Sequence, residues 1–445
     1  MADGERLADI VEAAVARGDA PGVVAAVSRG DETHVRAAGA MAVGGPPMRP
    51  GTLFRIASIT KPVTAAVVLS LVEDGLLGLD EPVDRLLPEL ANRRVLRHPD
   101  GPLTDTIRAE RAVTTRDLLT FTWGFGMQGA MFMAAEPWPI VRAVADRELS
   151  SFGPANPDTT PEPDTWMARL GELPLLAQPG ERWLYSAGSQ VLGVLAARAA
   201  GAPFEDVMRE RVLAPLGMRD TAFHAADTSR LATAYENVDG KLTVRDAPDG
   251  QWSRPPRFPD GAAGLVSTAA DLLAFGRMLR RGGDPVLEPG TVAEMTRDQL
   301  TPAQRARVWP GFSFLDDRGW GYGVSVTEWG YTWEGGSGTA WSNVPDRDLT
   351  VVVLTQRAAD ETGMPAVCGE VLEMAIGGSA QRNLRRNGSC GWYGSTLTRA
   401  LITAVPPRSR SSSVTSGRSS ASLDTRSRRS RSTSRSGREP SRPVR

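Results

Sequence analysis

Residues 63–72 form a run that is apolar on almost every side, a composition typical of a helix buried on all its faces. Pro62 precedes the run and Gly75 follows it. Proline is tolerated in the first turn of a helix, and glycine commonly ends one. We therefore predict a helix that begins near Ser58 and is surrounded by other elements. The 41% of hydrophobic residues in the chain suffices for a sizeable core.

Lysine occurs only twice in the 445 residues, at positions 61 and 241, and Lys61 follows Ser58 by three positions. Side chains at i and i+3 share one face of a helix, so the amine could take the proton of the serine hydroxyl. Arginine supplies nearly every other positive charge, and it cannot act as a base. The pair therefore indicates nucleophilic chemistry at a helix start, although a capping serine followed by a surface lysine would give the same spacing.

Two later segments add to this pair. Residues 179–188 place Tyr185 in a glycine-bounded turn before an apolar helical run at 191–200, and residues 331–339 join two strand-like runs through glycines that permit close backbone approach. A Ser-x-x-Lys, a tyrosine turn and a glycine-ended strand in this order resemble the serine β-lactamase and penicillin-binding-protein superfamily, specifically its class C-like esterase branch. Three more segments look like the framework of that family, at residues 114–120, 213–221 and 264–271.

The resemblance implies a role for each motif. Ser58 would be the nucleophile, Lys61 its base, and Tyr185 the group that relays a proton to the leaving group. The backbone N–H groups of Ser58 and Gly336 would form the oxyanion hole. The implied function is a serine hydrolase that cleaves carboxylic esters through an acyl-enzyme on Ser58, with no metal and no organic cofactor.

The resemblance also implies a β-lactamase/transpeptidase-like α/β fold of the α+β type, in which helices from both ends of the chain flank an antiparallel sheet. The catalytic domain would span residues 1–376, with the sheet part at about 1–75 and 255–376 and a mostly helical subdomain at 76–254. The active site would lie in the cleft between these two parts. Hydrophobic periodicity agrees with this plan, since it predicts helices at 6–17 and 364–376 and strands at 22–28, 34–38, 323–327, 339–343 and 349–354.

Several positions depart from the family pattern. Ala187 stands two residues after the tyrosine, where β-lactamases of the family usually carry asparagine, and Trp333 replaces a lysine or histidine. An indole cannot pair with the carboxylate of a penicillin, so these changes favour a neutral or apolar ester. The predicted substrate-binding residues are Trp123, Phe125, Trp333 and Gly335. Core packing is the competing interpretation for the three aromatic rings.

A weak β-lactamase and a D-amino-acid peptidase are alternative functions that the same fold could support. A non-catalytic ligand-binding relative with a nucleic-acid-binding tail belongs to a different class. The three histidines lie in no nucleophile-elbow or metal-ligand spacing, so a Ser-His-Asp triad has no support. The two cysteines share no metal or redox spacing either.

Charge divides the chain into two regions. The first 380 residues hold 36 basic and 50 acidic groups, whereas residues 381–445 hold 15 arginines against Asp424 and Glu439. Residues 377–445 are predicted to be a disordered Arg/Ser-rich tail, because few large apolar residues remain to form a core. Such a tail could bind phosphate backbones, which makes an RNA-associated role the rival hypothesis, or it could be an out-of-frame extension of a GC-rich gene.

The chain starts without a basic, apolar secretory signal, and no run of about 18 apolar residues offers a membrane span. We therefore expect a cytoplasmic protein whose partner is a small-molecule ester, with no membrane contact. We do not expect a nucleic-acid partner, for which only the basic tail would offer a contact. The oligomeric state stays open.

Overall fold

The computed structural model of the chain describes residues 3–306, 315, 318–360 and 363–377. The α-helices in this part are α1 (Asp3–Arg17), α2 (Thr60–Glu73), α3 (Thr115–Leu119), α4 (Ala130–Met133), α5 (Pro139–Asp146), α6 (Pro163–Gly171), α7 (Ala187–Ala200), α8 (Phe204–Met208), α9 (Ala269–Arg280), α10 (Pro289–Met295), α11 (Pro302–Ala306) and α12 (Ala366–Ile376). The strands are β1 (Gly22–Arg29), β2 (Glu32–Gly39), β3 (Phe54–Arg55), β4 (Arg94–Leu96), β5 (Thr106–Arg108), β6 (Ala234–Val238), β7 (Lys241–Asp246), β8 (Val266–Ser267), β9 (Gly319–Trp320), β10 (Ser325–Thr327), β11 (Gly330–Gly335), β12 (Thr339–Val344) and β13 (Leu349–Thr355).

The main sheet joins the two ends of the described chain. Its seven strands are antiparallel and run in the order β2-β1-β13-β12-β11-β10-β9. Strand β1 pairs with β13 along its length, from Val23 opposite Thr355 to Arg29 opposite Leu349. The predicted fold class, an antiparallel sheet built from the end segments with helices on both sides, is confirmed.

Strand β1 is buried on both faces because helices cover both sides of the sheet. Val23, Ala25 and Val27 belong to a core cluster that includes residues of α1 and α12. Val24 and Ala26 point the other way, into the larger cluster that contains α2 and α9. This explains why β1 reads as a nearly continuous apolar run rather than as an alternating pattern.

Helix α2 lies where the sequence predicts a buried helix. Every residue from Thr60 to Leu71 is buried. A short 3₁₀ turn, Ala57–Ile59, precedes the helix, and Gly75 follows it with a φ of +72°. The position of Pro62 in the first turn and of a left-handed glycine after the last turn matches the predicted limits.

Local geometry shifts a few boundaries. Strand β10 begins at Ser325 rather than 323, because Gly323 has a φ of +72° and lies against α2, where an added Cβ would be 2.8 Å from that of Ala65. Helix α7 begins at Ala187, four residues before the predicted start. The predicted helical part also contains two hairpins, β4–β5 and β6–β7. Beyond Gly377, the predicted disordered tail lies outside the described residues.

Candidate active site

Ser58 lies in the tight turn between strand β3 and helix α2. Ala57, directly before it, has a φ of +45°, in the left-handed region that non-glycine residues rarely adopt. Such conformations cost about 1–3 kcal/mol and persist where the surrounding structure holds them in place, often at functional sites. The turn leaves Ser58 partly exposed at a cavity wall, while Ile59 and Thr60 are fully buried.

Lys61 is the best-buried cation of this region, with 1% of its surface exposed. Its Nζ lies 3.0 Å from Ser58 Oγ and 2.9 Å from the carbonyl oxygen of Ala262. Burial lowers the pKa of Lys61 to about 7, and the nearby carboxylate of Asp260 opposes this shift only in part. A large fraction of this amine is therefore neutral near pH 7, and a neutral amine can accept a proton.

Tyr185 contacts the same oxygen, since its hydroxyl donates to Ser58 Oγ at 2.9 Å. The Tyr185 ring lies under the Lys61 amine, with Nζ 4.6 Å from the ring centroid. Two backbone hydrogen bonds to Met127, of 2.8 and 2.9 Å, fix the segment that carries the tyrosine. The structure thus brings together the three residues predicted as nucleophile, base and proton relay.

Asp260 is a residue that the sequence analysis missed. It is buried and accepts hydrogen bonds from the backbone N–H groups of Ala262 and Ala263, at 2.7 and 3.2 Å, and from Nε2 of Gln190 at 3.0 Å. These bonds hold the loop whose Ala262 carbonyl accepts from Lys61. Burial raises the pKa of the Asp260 carboxyl. Its only sequence signal is an Asp-Gly pair, which predicts a turn but no role.

Gly335 and Gly336 lie at the end of β11, beside the start of α2. A Cβ on Gly335 would lie 2.2 Å from the carbonyl oxygen of Ile56, so only glycine permits this approach. Thr339 Oγ1 donates to the same carbonyl at 3.1 Å. Gly336 and Ser58 line the same cavity. Their service as an oxyanion hole stays a prediction.

The aromatic residues predicted to contact the substrate lie in the core instead. Trp123, Phe125 and Trp333 have no exposed surface, and none of them lines the cavity. The ring of Phe125 packs 5.3 Å from that of Phe152, and Trp333 backs the Tyr185 ring at 5.6 Å. Their positions give no support to direct substrate contact. Aromatic side chains are common both in hydrophobic cores and in the walls of cavities. The sequence alone therefore could not show which of these two places the three rings occupy.

The cavity in front of Ser58 has a volume of about 190 Å³. Ser58, Lys61 and Tyr185 form one wall. The rest of the described lining includes Arg55, Met127, Gly153, Pro154, Ala155, Glu236, Asn237, Arg245, Trp252 and Asp360, with Gly336 and Ser337 beside the end of β11. No histidine lies among the described lining residues.

The described residues contain no group of three or more His, Cys, Asp or Glu side chains placed to hold a metal ion. None of their helices combines the length and the apolar character needed to cross a membrane.

Comparison with known proteins relates this site to a family. Protein Rv1367c of Mycobacterium tuberculosis (strain ATCC 25618 / H37Rv) is 38% identical over 340 residues, which cover 71% of this chain and 80% of that protein. Esterase EstB of Burkholderia gladioli is 33% identical over 375 residues, covering 77% of this chain and 88% of that protein. The solved structure of EstCE1, described as a hydrolase with promiscuous acyltransferase activity, superposes with a TM-score of 0.71 at 25% identity, covering 84% of this chain and 98% of EstCE1.

The sequence model of the family described as Beta-lactamase matches residues 7–366, which include every residue of the site described above. The chain therefore belongs to the Beta-lactamase family of serine hydrolases.

Proposed function

We propose that this enzyme hydrolyses carboxylic esters through a covalent acyl-enzyme on Ser58. The observation that carries the proposal is the environment of Lys61. Its amine is buried, its described hydrogen-bond partners are a hydroxyl and a backbone carbonyl, and its pKa is lowered to about 7. A lysine that only stabilised the fold would be expected to keep its charge and pair with a carboxylate.

In the first half of the reaction, Ser58 Oγ attacks the ester carbonyl carbon and its proton passes to Lys61 Nζ, 3.0 Å away. The carbonyl oxygen becomes an oxyanion, for which the N–H groups of Ser58 and Gly336 are the proposed donors. When the bond to the alcohol oxygen breaks, Tyr185 protonates the departing alkoxide. The Lys61 ammonium then restores the phenol proton, which leaves an acyl-enzyme and a free alcohol.

In the second half, a water molecule attacks the acyl carbon. The site takes up a proton from the water and returns one to Ser58 Oγ as the acyl bond to serine breaks. The products are a carboxylic acid and the original enzyme. An alcohol in place of the water would give acyl transfer, the second activity for which EstCE1 is described.

Support for an ester, rather than a β-lactam or a D-amino-acid peptide, comes from two sources. Esterase EstB aligns over most of both chains. In addition, Ala187 offers no polar side chain where the β-lactamases usually provide an asparagine amide, and it is fully buried at the start of α7. A weak β-lactamase or a D-amino-acid peptidase remains an outcome that the following experiment can report.

The test is intact-mass analysis after incubation with a fluorophosphonate, followed by turnover assays. We expect one added mass equivalent at Ser58, no label in Ser58→Ala, and an unchanged melting temperature in that variant. Ser337→Ala removes another hydroxyl of the cavity wall and should still be labelled. Short-chain aryl esters should show a far higher kcat/KM than cephalosporins or D-Ala-D-Ala peptides. Labelling at another serine, or a better β-lactam substrate, would contradict the proposal.

A further inference from the structure

The cavity in front of Ser58 is lined by several charged side chains. Beyond Lys61, four charged residues line it: Arg55, Glu236, Arg245 and Asp360. Which of these charges are already neutralised within the protein decides what kind of substrate the cavity can hold.

Two of the four are engaged in ion pairs. Arg55 is buried and pairs with Asp246, and it also donates to the carbonyl oxygens of Ala232 and Ala247. Asp360 accepts from Arg357 Nη2 at 2.7 Å and from Asn237 Nδ2 at 3.0 Å. Their charges are therefore compensated without a ligand.

The side chains of the other two, Glu236 and Arg245, have no hydrogen-bond or ion-pair partner among the described residues. Both are partly buried. A guanidinium cannot lose its proton, so Arg245 stays a full positive charge with five donors at every working pH. An unpaired cation held against a partly enclosed cavity favours the binding of an anion there.

The hairpin geometry explains how Arg245 reaches the cavity. In the pairing of β6 with β7, Ala234 lies opposite Asp246 and Tyr235 opposite Val244, so Arg245 is the one residue of β7 that the register skips. A bulge of this kind redirects a side chain and is common beside active sites. It turns Arg245 to the cavity while Asp246 stays buried against Arg55.

Arg245 lies close enough to Arg55 for the two charges to interact. Burial lowers the pKa of Arg55, Asp246 opposes this shift, and the charge of Arg245 adds to it. The pairing of Arg55 with Asp246 neutralises only one of these two cations. The planar guanidinium of Arg245 presents parallel N–H donors, whose spacing matches the two oxygens of a carboxylate.

We propose that Arg245 binds a carboxylate of the substrate, so that the ester cleaved at Ser58 carries an acidic group in its acyl or its alcohol part. This inference rests on the proposed ester hydrolysis. It revises the expectation of a neutral ester, which came from Ala187 and Trp333; neither of them lines the cavity, and Trp333 lies in the core. Glu236 lines the same cavity and would repel a carboxylate. It would thereby select acids whose carboxylate contacts Arg245 at a distance from Glu236 on β6.

The experiment compares acids with their methyl esters in two matched pairs. In the first pair, mono-4-nitrophenyl adipate and methyl 4-nitrophenyl adipate, the carboxylate or its methyl ester lies in the acyl part. In the second pair, 4-acetoxybenzoate and methyl 4-acetoxybenzoate, it lies in the alcohol part. We expect Arg245→Gln to lower kcat/KM for the acid of at least one pair by about tenfold, the scale of a lost charge-assisted hydrogen bond. The methyl esters should change by less than about twofold.

Lys241→Gln is the matched control, because Lys241 is an exposed cation on the same strand and does not line the cavity. It should leave both pairs unchanged. If Arg245→Gln lowers the acid and its methyl ester equally, the residue is structural. If the ratio of kcat/KM for the acid to that for its methyl ester changes by less than twofold in both pairs, Arg245 binds no carboxylate. Either result overturns the inference.

A second measurement separates this inference from the ester proposal. The rate of fluorophosphonate labelling at Ser58 is followed with and without 4-phenylbutyrate, and with the neutral 4-phenylbutyramide for comparison. We expect the acid to slow labelling more than the amide, and Arg245→Gln to remove that difference. This readout needs only a reactive Ser58. If no ester is turned over, the proposal of ester hydrolysis is wrong, but the labelling rates still report whether the cavity prefers a carboxylate. If the acid and the amide slow labelling equally, only the proposed carboxylate binding by Arg245 is overturned.

Discussion

The reactive wall of the cavity, formed by Ser58, Lys61 and Tyr185, has side chains that hydrogen-bond to one another. On the hairpin wall, formed by β6 and β7, the charges of Glu236 and Arg245 face the cavity and have no side-chain partner among the described residues. Ser58 Oγ lies within 3.0 Å of both Lys61 and Tyr185, and Lys61 is fully buried. Glu236 and Arg245 are partly exposed and contact no described polar partner. The first wall has the preorganised contacts that a reaction needs, and the second leaves charges open for a substrate.

The two walls of the cavity also differ in what they cost in folding free energy. The reactive wall carries unfavourable features, including the left-handed Ala57 and a buried amine that loses its hydration. Glu236 and Arg245 on the hairpin wall are only partly buried, so their charges keep access to water. Substitutions on the reactive wall should therefore change rate and stability strongly, and substitutions on the hairpin wall should change mainly the choice of substrate.

The largest effect is expected from Lys61→Arg. Arginine keeps the charge but cannot accept a proton, so the single-turnover acylation rate should fall by about 10²- to 10⁴-fold. In the wild-type protein that rate should rise with pH through about 7, the pKa of Lys61, as the ammonium becomes a free amine. Both are measured with an aryl ester between pH 5 and 10. Lys241→Arg is the control, and equal activity of the two variants would show that Lys61 is not the base.

Tyr185→Phe should have the second-largest effect, a loss of kcat/KM whose size depends on the leaving group. The phenol is proposed to protonate the departing alkoxide, so we expect a loss of about 10²-fold for alkyl esters and a smaller one for 4-nitrophenyl esters, whose leaving group needs no proton. The measurement is kcat/KM for a series of esters with alcohols of increasing acidity. A loss that is equal across the series would assign Tyr185 a positioning role only.

Lys61→Met tests the energetic side of the comparison. Between pH 7 and 10.5 the unfolded chain binds a proton at Lys61 that the folded protein does not, so this group lowers stability at pH 7 and the penalty disappears as pH rises to 10.5. Methionine should abolish activity and raise the free energy of unfolding at pH 7 by about 1–3 kcal/mol. Urea denaturation at pH 7 and pH 10 checks this. A destabilised variant at pH 7 would mean that the amine's hydrogen bonds outweigh its burial cost.

The smallest effect is expected on the hairpin wall. Glu236→Gln removes a charge that has no described partner, so stability should change by less than about 0.5 kcal/mol and turnover of a neutral aryl ester by less than about twofold. Thermal unfolding and kcat/KM for 4-nitrophenyl hexanoate are sufficient measurements. A large loss in either would show that the two walls are energetically coupled.

The reactive wall was largely predictable because its signals are local. The spacing of Ser58 and Lys61 follows from helix geometry, and the resemblance that named Tyr185 rests on short motifs. The antiparallel sheet of the end segments was predicted through the same resemblance. Asp260 was missed because its role depends on a loop whose Ala262 carbonyl meets Lys61 from 201 positions further along the chain, and no local pattern encodes that contact.

By itself, the sequence determined the elements whose signals are local. Its apolar periods and turn residues set the helix α2, the strand β1 and the position of Ser58 one helical turn before Lys61. Only the tertiary structure decided which side chains face the cavity. It placed Trp123, Phe125 and Trp333 in the core and turned Arg245 to the cavity through one skipped residue in a hairpin register. The physical reason is that burial and strand register depend on contacts between distant segments, which no single stretch of sequence specifies.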